Sequence, residues 1–490
     1  MTFAKARSSL THPLQIDSVG AGGLYGRIGI TFCPGKKQAH AGTGAWDRDL
    51  VIDVGQIAIW GASSVVTLIE PHEIIALQVE ALGDEVAAHH MEWHHLPIKD
   101  VSVPCAAFEK QWAEVGPLLR SQLRAGFNLL VHCKGGLGRA GTIACRLLID
   151  CGWAPDEALA VVRAVRPGAV ETMSQQRYVL GLKPVAEAVV SISPAVSEDR
   201  AIGALLGLAV GDALGTTLEF SARDTKPQVT ELVGGGPFGL QAGQWTDDTA
   251  MALALADSLG AHPMLDEQDL MERFVAWFRH GTTSCTGRCF DIGGTTRAAL
   301  ASYERTASPV AGSTDPMSAG NGSLMRLAPV AIRHWRDPLT LINVAARQSA
   351  TTHGAAEAVD ACTAFAGLLA RAISGEPRDQ LLAPAKIGGA PSVAAVMAGS
   401  WRGKSRGTVR SSGYVIHSLE AGLWCVARTS SFRSAVVLAA NLGDDADTVA
   451  AITGQLAGVL YGASGIPPEW LETLAWRERL EAAAKALLLP

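Results

Sequence analysis

The sequence predicts a multidomain chain, an α/β domain followed by an all-α domain, on three observations. Over residues 50–130, short apolar runs such as Val65-Val66-Thr67-Leu68-Ile69 and Asn128-Leu129-Leu130-Val131 alternate with helical stretches, as strands alternate with helices. The segment Ser191-Ile192-Ser193-Pro194-Ala195-Val196-Ser197 is small, polar and proline-containing, which marks a linker at 191–198 after a first domain at 1–190. In the remainder, 199–490, apolar residues recur at helical spacing in 201–210, 251–259, 355–372, 418–426 and 448–460. Strand-like alternation is scarce there, so this domain is expected to be almost wholly helical.

Composition narrows the function classes. At 490 residues the chain exceeds what one core usually organises. Up to Ser193 there are 17 basic and 18 acidic residues, and after it 24 and 29. Neither half is basic, which argues against a nucleic-acid groove. No continuous apolar run approaches the roughly 20 residues that span a bilayer, so no membrane partner is expected. The start has charges and His12-Pro13 but no continuous apolar stretch of the kind a secretion signal carries. Nine cysteines without regular spacing fit reduced thiols and a cytoplasmic location. Cys285 and Cys289 have no second pair to complete a zinc site.

In the first half, Val131-His132-Cys133-Lys134-Gly135-Gly136-Leu137-Gly138-Arg139 places a cysteine and an arginine around a glycine-rich loop. A strand at 129–131 is expected to enter it and a helix starting near Gly141 to follow. A thiolate at Cys133 would attack phosphorus, while backbone N–H groups and Arg139 would hold the phosphoryl oxygens. The helix terminus would favour the anion and the thiolate. Departure of the leaving group needs a proton donor, and Asp100 lies upstream in Leu96-Pro97-Ile98-Lys99-Asp100 on an expected mobile loop. His89, His90, His94 and His95 read better as surface or cleft-lining residues than as metal ligands. These motifs, from about Gly29 through Arg166-Pro167-Gly168-Ala169-Val170-Glu171-Thr172 to Gln175, resemble the dual-specificity protein phosphatases, most closely the branch containing the cyclin-dependent kinase-associated phosphatase. The resemblance implies Cys133 as nucleophile, Arg139 as phosphate ligand, Asp100 as general acid, Gln175 as a residue that positions water, and a phosphorylated substrate. The family usually carries Ser or Thr where this chain has Ala140. Turnover of a cysteinyl phosphate would then be slow unless Thr142 substitutes.

In the second half, Thr246-Asp247-Asp248 and Asp445-Ala446-Asp447-Thr448 each open a long Ala-rich helical pattern. The bland reading is a pair of helix N-caps. Four carboxylates brought together would repel unless cations neutralised them, and two Mg²⁺ or Mn²⁺ ions balance that charge where one does not. Thr246 and Thr448 would add hydroxyl oxygens. Further segments follow in order: Gly203 to Gly215 with Asp212, then Glu219, Phe290-Asp291-Ile292-Gly293-Gly294, Gly320-Asn321-Gly322, His353 and Gly443-Asp444-Asp445. Together they resemble the ADP-ribosylglycohydrolases.

That resemblance implies an all-helical fold with two Mg²⁺ or Mn²⁺ ions, held by Thr246, Asp247, Asp248, Asp445, Asp447 and Thr448. Asp444 keeps an open role. It also implies proton handling by Glu219 and Asp291, and ADP-ribose binding by Gly320, Asn321, Gly322 and His353. The substrate would be an ADP-ribosylated protein, at arginine or serine, or a small molecule. The expected architecture is therefore an α/β cysteine-phosphatase domain followed by an all-α ADP-ribosylglycohydrolase domain. The competing reading is a phosphatase, or a phosphate-binding module, whose helical domain binds ADP-ribose without hydrolysing it.

Overall fold

The structure, a computed structural model, describes residues 6–41, 44–185 and 192–489. It divides into two compact units, Met1–Ala188 with Arg428–Ser430, and Val189–Ala427 with Ser431–Pro490.

The first unit is built on a five-stranded sheet of β1 (Asp17–Gly20), β2 (Arg27–Phe32), β3 (Ala62–Thr67), β4 (Glu92–His95) and β5 (Asn128–Cys133). Their order across the sheet is β1-β2-β5-β3-β4, with β1 antiparallel and the other pairs parallel. Every residue of β3, and all of β5 beyond Asn128, is buried, because inner strands of a parallel sheet are covered on both faces. Cys133 thus stands at the carboxyl end of the middle strand, where ligands of open α/β sheets bind. The strand is longer than the expected 129–131. Helix α1 (Gly138–Asp150) starts three residues before the expected Gly141, so Arg139 lies in its first turn, and all of α1 is buried.

The second unit is helical. Among its described residues the only β features are isolated bridges, such as Gly235 with Leu240 and Gly320 with Tyr414. Helix α2 (Pro194–Gly215) corrects one expectation: residues 194–198 are not linker but its first turns. Pro194 sits where a helix tolerates the missing N–H, and the Ser193 side chain caps the amide of Val196. Residue 191 lies outside the described residues. By length and composition this helix could cross a membrane, yet 89% of its apolar window is buried within the protein. Its apolar character is explained by packing.

Two further helices matter here, α3 (Asp247–Ala261) and α4 (Ala446–Tyr461). Gly203, Gly207, Gly211 and Gly215, one per turn of α2, lie against the backbone of α4. A Cβ built on them would stand 2.4, 2.2, 2.1 and 2.4 Å from the carbonyl oxygens of Gly458, Gly454, Ala450 and Ala446. Only glycine permits such an approach. The antiparallel pair meshes at a four-residue repeat and carries Asp212, near the end of α2, to the start of α4.

Candidate active sites

In the first unit the loop after β5 is held from both ends. Gly136 adopts φ 73°, and a Cβ there would lie 2.5 Å from the Thr31 backbone, so the turn demands glycine. Arg166 donates to the carbonyls of Gly136 (3.0 Å) and Gly135 (3.3 Å) and to Asp17 (2.7 Å). The amide of Gly136 donates to Cys133 Sγ at 3.2 Å. Arg139, 2% exposed, donates to both carboxylate oxygens of Glu73 at 2.6 and 3.0 Å and to the Ile98 carbonyl at 3.0 Å. Burial opposes ionisation of Glu73, but the Arg139 hydrogen bonds and charge overcome it and hold this carboxyl below the usual range.

Asp100 approaches the same arginine, Oδ1 to Nη2 at 2.9 Å, with its side chain half exposed. Gln175 is buried and donates to the Ser102 carbonyl at 3.1 Å, tying the segment after Asp100 to the helix Met173–Gly181. Cys133, Arg139 and Asp100 are therefore gathered, with Gln175 beside them. Thr142 does not take the place of the missing hydroxyl at position 140. Its Oγ1 donates to the Gly138 carbonyl, one turn back, at 2.7 Å, a bond that a threonine inside a helix readily makes. The histidines before the Asp100 segment form no metal cluster among the described residues; His95 contacts the Ile69 carbonyl at 2.8 Å. Sequence reasoning missed Glu73, whose spacing from Glu70 reads as an ordinary capping box.

In the second unit the far-apart acids meet. One carboxylate oxygen each from Asp212, Asp248 and Asp447 falls within a 4.8 Å group, and a second such group joins Glu219, Asp445 and Asp447. Asp447 belongs to both. The Thr246 hydroxyl lies 2.9 Å from Asp212 Oδ1 and 3.3 Å from both Asp248 Oδ2 and Asp447 Oδ2, while Thr448 Oγ1 is 3.4 Å from Asp248 Oδ2. Asp247 lines the adjoining cleft rather than joining either trio. Asp212, quoted in a motif but not expected at the site, also receives the amides of Thr246 and Thr249 at 2.9 and 3.0 Å and so caps α3.

The electrostatics call for cations. Burial, followed by the charge of Asp447, pushes Asp212 and Asp445 up to about 7. Burial and the neighbouring acids likewise raise Asp247 and Asp248 well above the carboxylate range. Asp248 Oδ1 is buried and makes no hydrogen bond. A buried carboxylate oxygen with no donor, on a carboxyl whose other oxygen lies near the hydroxyls of Thr246 and Thr448, suits a hard divalent ion.

The remaining residues surround a cleft of about 900 Å³ lined by Glu219, Phe220, Asp291, Arg297, Gly320, Asn321, Gly322 and His353, among others. Glu219 was expected apart from the ligands, but it lies inside the second trio and accepts the amides of Ala446 (2.7 Å) and Asp447 (3.2 Å) at the start of α4. Asp291 stays outside both trios. Burial, then Asp447 and Asp247, push it up to about 11. Asn321 donates to Asp445 at 2.6 Å and to Ser418 at 2.8 Å, linking the glycine loop to the acids. His353 is buried against that loop, where a Cβ on Gly322 would lie 2.7 Å from its ring. Burial, aided by Arg326, drives its pKa down to about 3, so the ring is neutral near pH 7.

The comparisons agree with this division. The sequence model of a family described as ADP-ribosylglycohydrolase matches residues 193–490, and one described as a Swiss Army Knife protein, DSP-PTPase phosphatase domain, matches residues 53–179. ADP-ribosylarginine hydrolase Tri1 of Pseudomonas putida (strain GB-1) is 49% identical over 304 residues, covering 61% of this chain and 80% of the relative. Cyclin-dependent kinase inhibitor 3 of Mus musculus is 30% identical over 133 residues, covering 27% of this chain and 62% of the relative. Among solved structures, an ADP-ribosylglycohydrolase-related protein complex aligns with a TM-score of 0.54 at 43% identity, over 60% of this chain and 98% of that one.

Proposed function

The chain belongs to the ADP-ribosylglycohydrolase family, and we propose that its helical unit hydrolyses the bond between ADP-ribose and an arginine side chain with the help of two Mg²⁺ or Mn²⁺ ions. The observation that carries this reading is the sharing of Asp447 between two carboxylate trios, one with Asp212 and Asp248 and the other with Glu219 and Asp445. Arginine is favoured as acceptor by the relative named as an ADP-ribosylarginine hydrolase.

Bound there, the ions would supply positive charge for the ribose hydroxyls and the attacking water. Thr246 and Thr448 supplement the carboxylates with neutral oxygens. The glycine loop 320–322 leaves space for a diphosphate, and Arg297 on the cleft wall matches its charge. Asn321 holds this loop in register with Asp445. Asp291, free of both trios, gives its proton to the guanidine nitrogen as the glycosidic bond breaks. His353, neutral and buried, keeps the loop backbone in place.

The α/β unit is a DSP-PTPase domain by its match, and we assign it phosphoryl transfer through Cys133, with Arg139 holding phosphate and Asp100 as acid. None of the nine cysteines is in a disulfide, which accords with the cytoplasmic location we infer. The deciding experiment is a mass-spectrometric assay on peptides ADP-ribosylated at arginine or serine, with Mn²⁺ or with chelator. Free ADP-ribose is expected from the arginine peptide with Mn²⁺ alone. Release from serine only, or release undiminished by chelator, overturns the reading.

A further inference from the structure

Three phenylalanines form a chain of rings beside the helical unit's cleft. Phe220 and Phe238 have centroids 6.2 Å apart and meet edge to face, and Phe238 and Phe290 are 5.2 Å apart and tilted. Phe220 follows Glu219 and Phe290 precedes Asp291, so two of the rings adjoin two cleft acids in sequence. Phe220 is 68% exposed. Its backbone is left-handed at φ 59°, a costly state for a bulky residue. The amide of Phe220 donates to the Asp444 carbonyl at 2.8 Å, which fixes this conformation. An exposed ring on a strained, pinned backbone is presented to something. Asp291 and Asp444, at φ 60° and 58°, share the same left-handed conformation and line the same cleft.

A second cavity, of about 710 Å³, shares the lining residue Glu219 with the first and is lined also by Ser221, Pro227, Val229 and Pro237, the last next to Phe238 in sequence. The cleft alone is large enough for a dinucleotide-sized ligand. Space beyond Glu219 is then left for what the ADP-ribose is attached to.

Building on the function proposed above, we infer that Phe220, backed by Phe238 and Phe290, is a specificity-determining residue that stacks on the guanidinium of the ADP-ribosylated arginine and sends its peptide toward the second cavity. The modified guanidinium is planar and cationic. It gains from an aromatic face through cation–π attraction and stacking, and an uncharged serine linkage does not.

The test is steady-state kinetics of the full chain with Mn²⁺ on an ADP-ribosylated arginine peptide, beside competitive inhibition by free ADP-ribose. Phe220→Leu keeps the apolar bulk and removes the π face; it should raise KM about tenfold, leave the inhibition constant of ADP-ribose unchanged, and be rescued by Phe220→Trp. A parallel rise in that inhibition constant would mean the rings hold the adenine instead, and an unchanged KM would mean they hold neither; both overturn the inference. Failure of the wild-type chain to release ADP-ribose from arginine would bring down the function reading as well, so the two failures are told apart.

Discussion

At the residue level the phosphatase site lacks one donor. The Cys133 sulfur receives an amide hydrogen bond from Gly136, position 140 has no hydroxyl, and that of Thr142 is engaged with its own helix. Sulfur leaves phosphorus as thiolate, so an added donor should speed the second step. Ala140→Ser is expected to raise steady-state hydrolysis of an aryl phosphate by about tenfold or more while leaving the initial burst unchanged. His353 gives a pH signature. The unfolded chain protonates this ring near pH 6.5, whereas the buried ring resists until about 3. Between those values this ring favours the unfolded state, so its own contribution falls by up to about 1.4 kcal/mol per pH unit as the pH drops, while the raised carboxyls of Asp212, Asp445 and Asp291 act in the opposite sense. Calorimetric melts of the wild type and of His353→Asn from pH 6.5 to 4.5 should differ by that slope, the wild type losing stability relative to the variant as the pH falls. Residues whose chemistry is written locally, such as Cys133, Arg139 and the paired aspartates, were legible in the sequence. Glu73 was not, because a carboxylate that serves a partner 66 positions away looks like any helix-start acid.

At the element level the glycine stripe of α2 decides whether the acids meet. Gly211→Ala would push a methyl carbon to 2.1 Å from the Ala450 carbonyl oxygen. Both contact surfaces are backbone, so neither can step aside as a flexible side chain would. A loss of about 2–3 kcal/mol is expected, read as a lower midpoint in urea, together with a weaker rise in melting temperature on adding Mn²⁺. Helical periodicity located α2, α3 and α4 correctly because burial of an apolar face repeats along each helix. The start of α2 was misread as linker because serine and proline mark both turns and helix N-termini. The pairing of α2 with α4 lay beyond the local pattern; its glycines were visible, but nothing nearby names the partner.

At the scale of the whole molecule, the two active centres are built from separate sets of residues, and their chemistries should be separable. Cys133→Ser is expected to abolish phosphate release and leave ADP-ribose release intact, and Asp248→Asn to do the reverse, each followed in the full-length chain. Loss of both activities in either variant would show that the centres depend on each other. The glycine stripe carries one more consequence for the molecule. Because small residues recur once per turn on both helices, sliding one past the other by a single turn, about 5.4 Å, would keep most of the mesh intact. The protein would remain folded yet dead, its two sets of cleft acids out of step. One contact that opposes that slip is the clasp at one end, where Glu219 grips the amides of Ala446 and Asp447, so the same carboxylate that faces the cleft also helps to set the count.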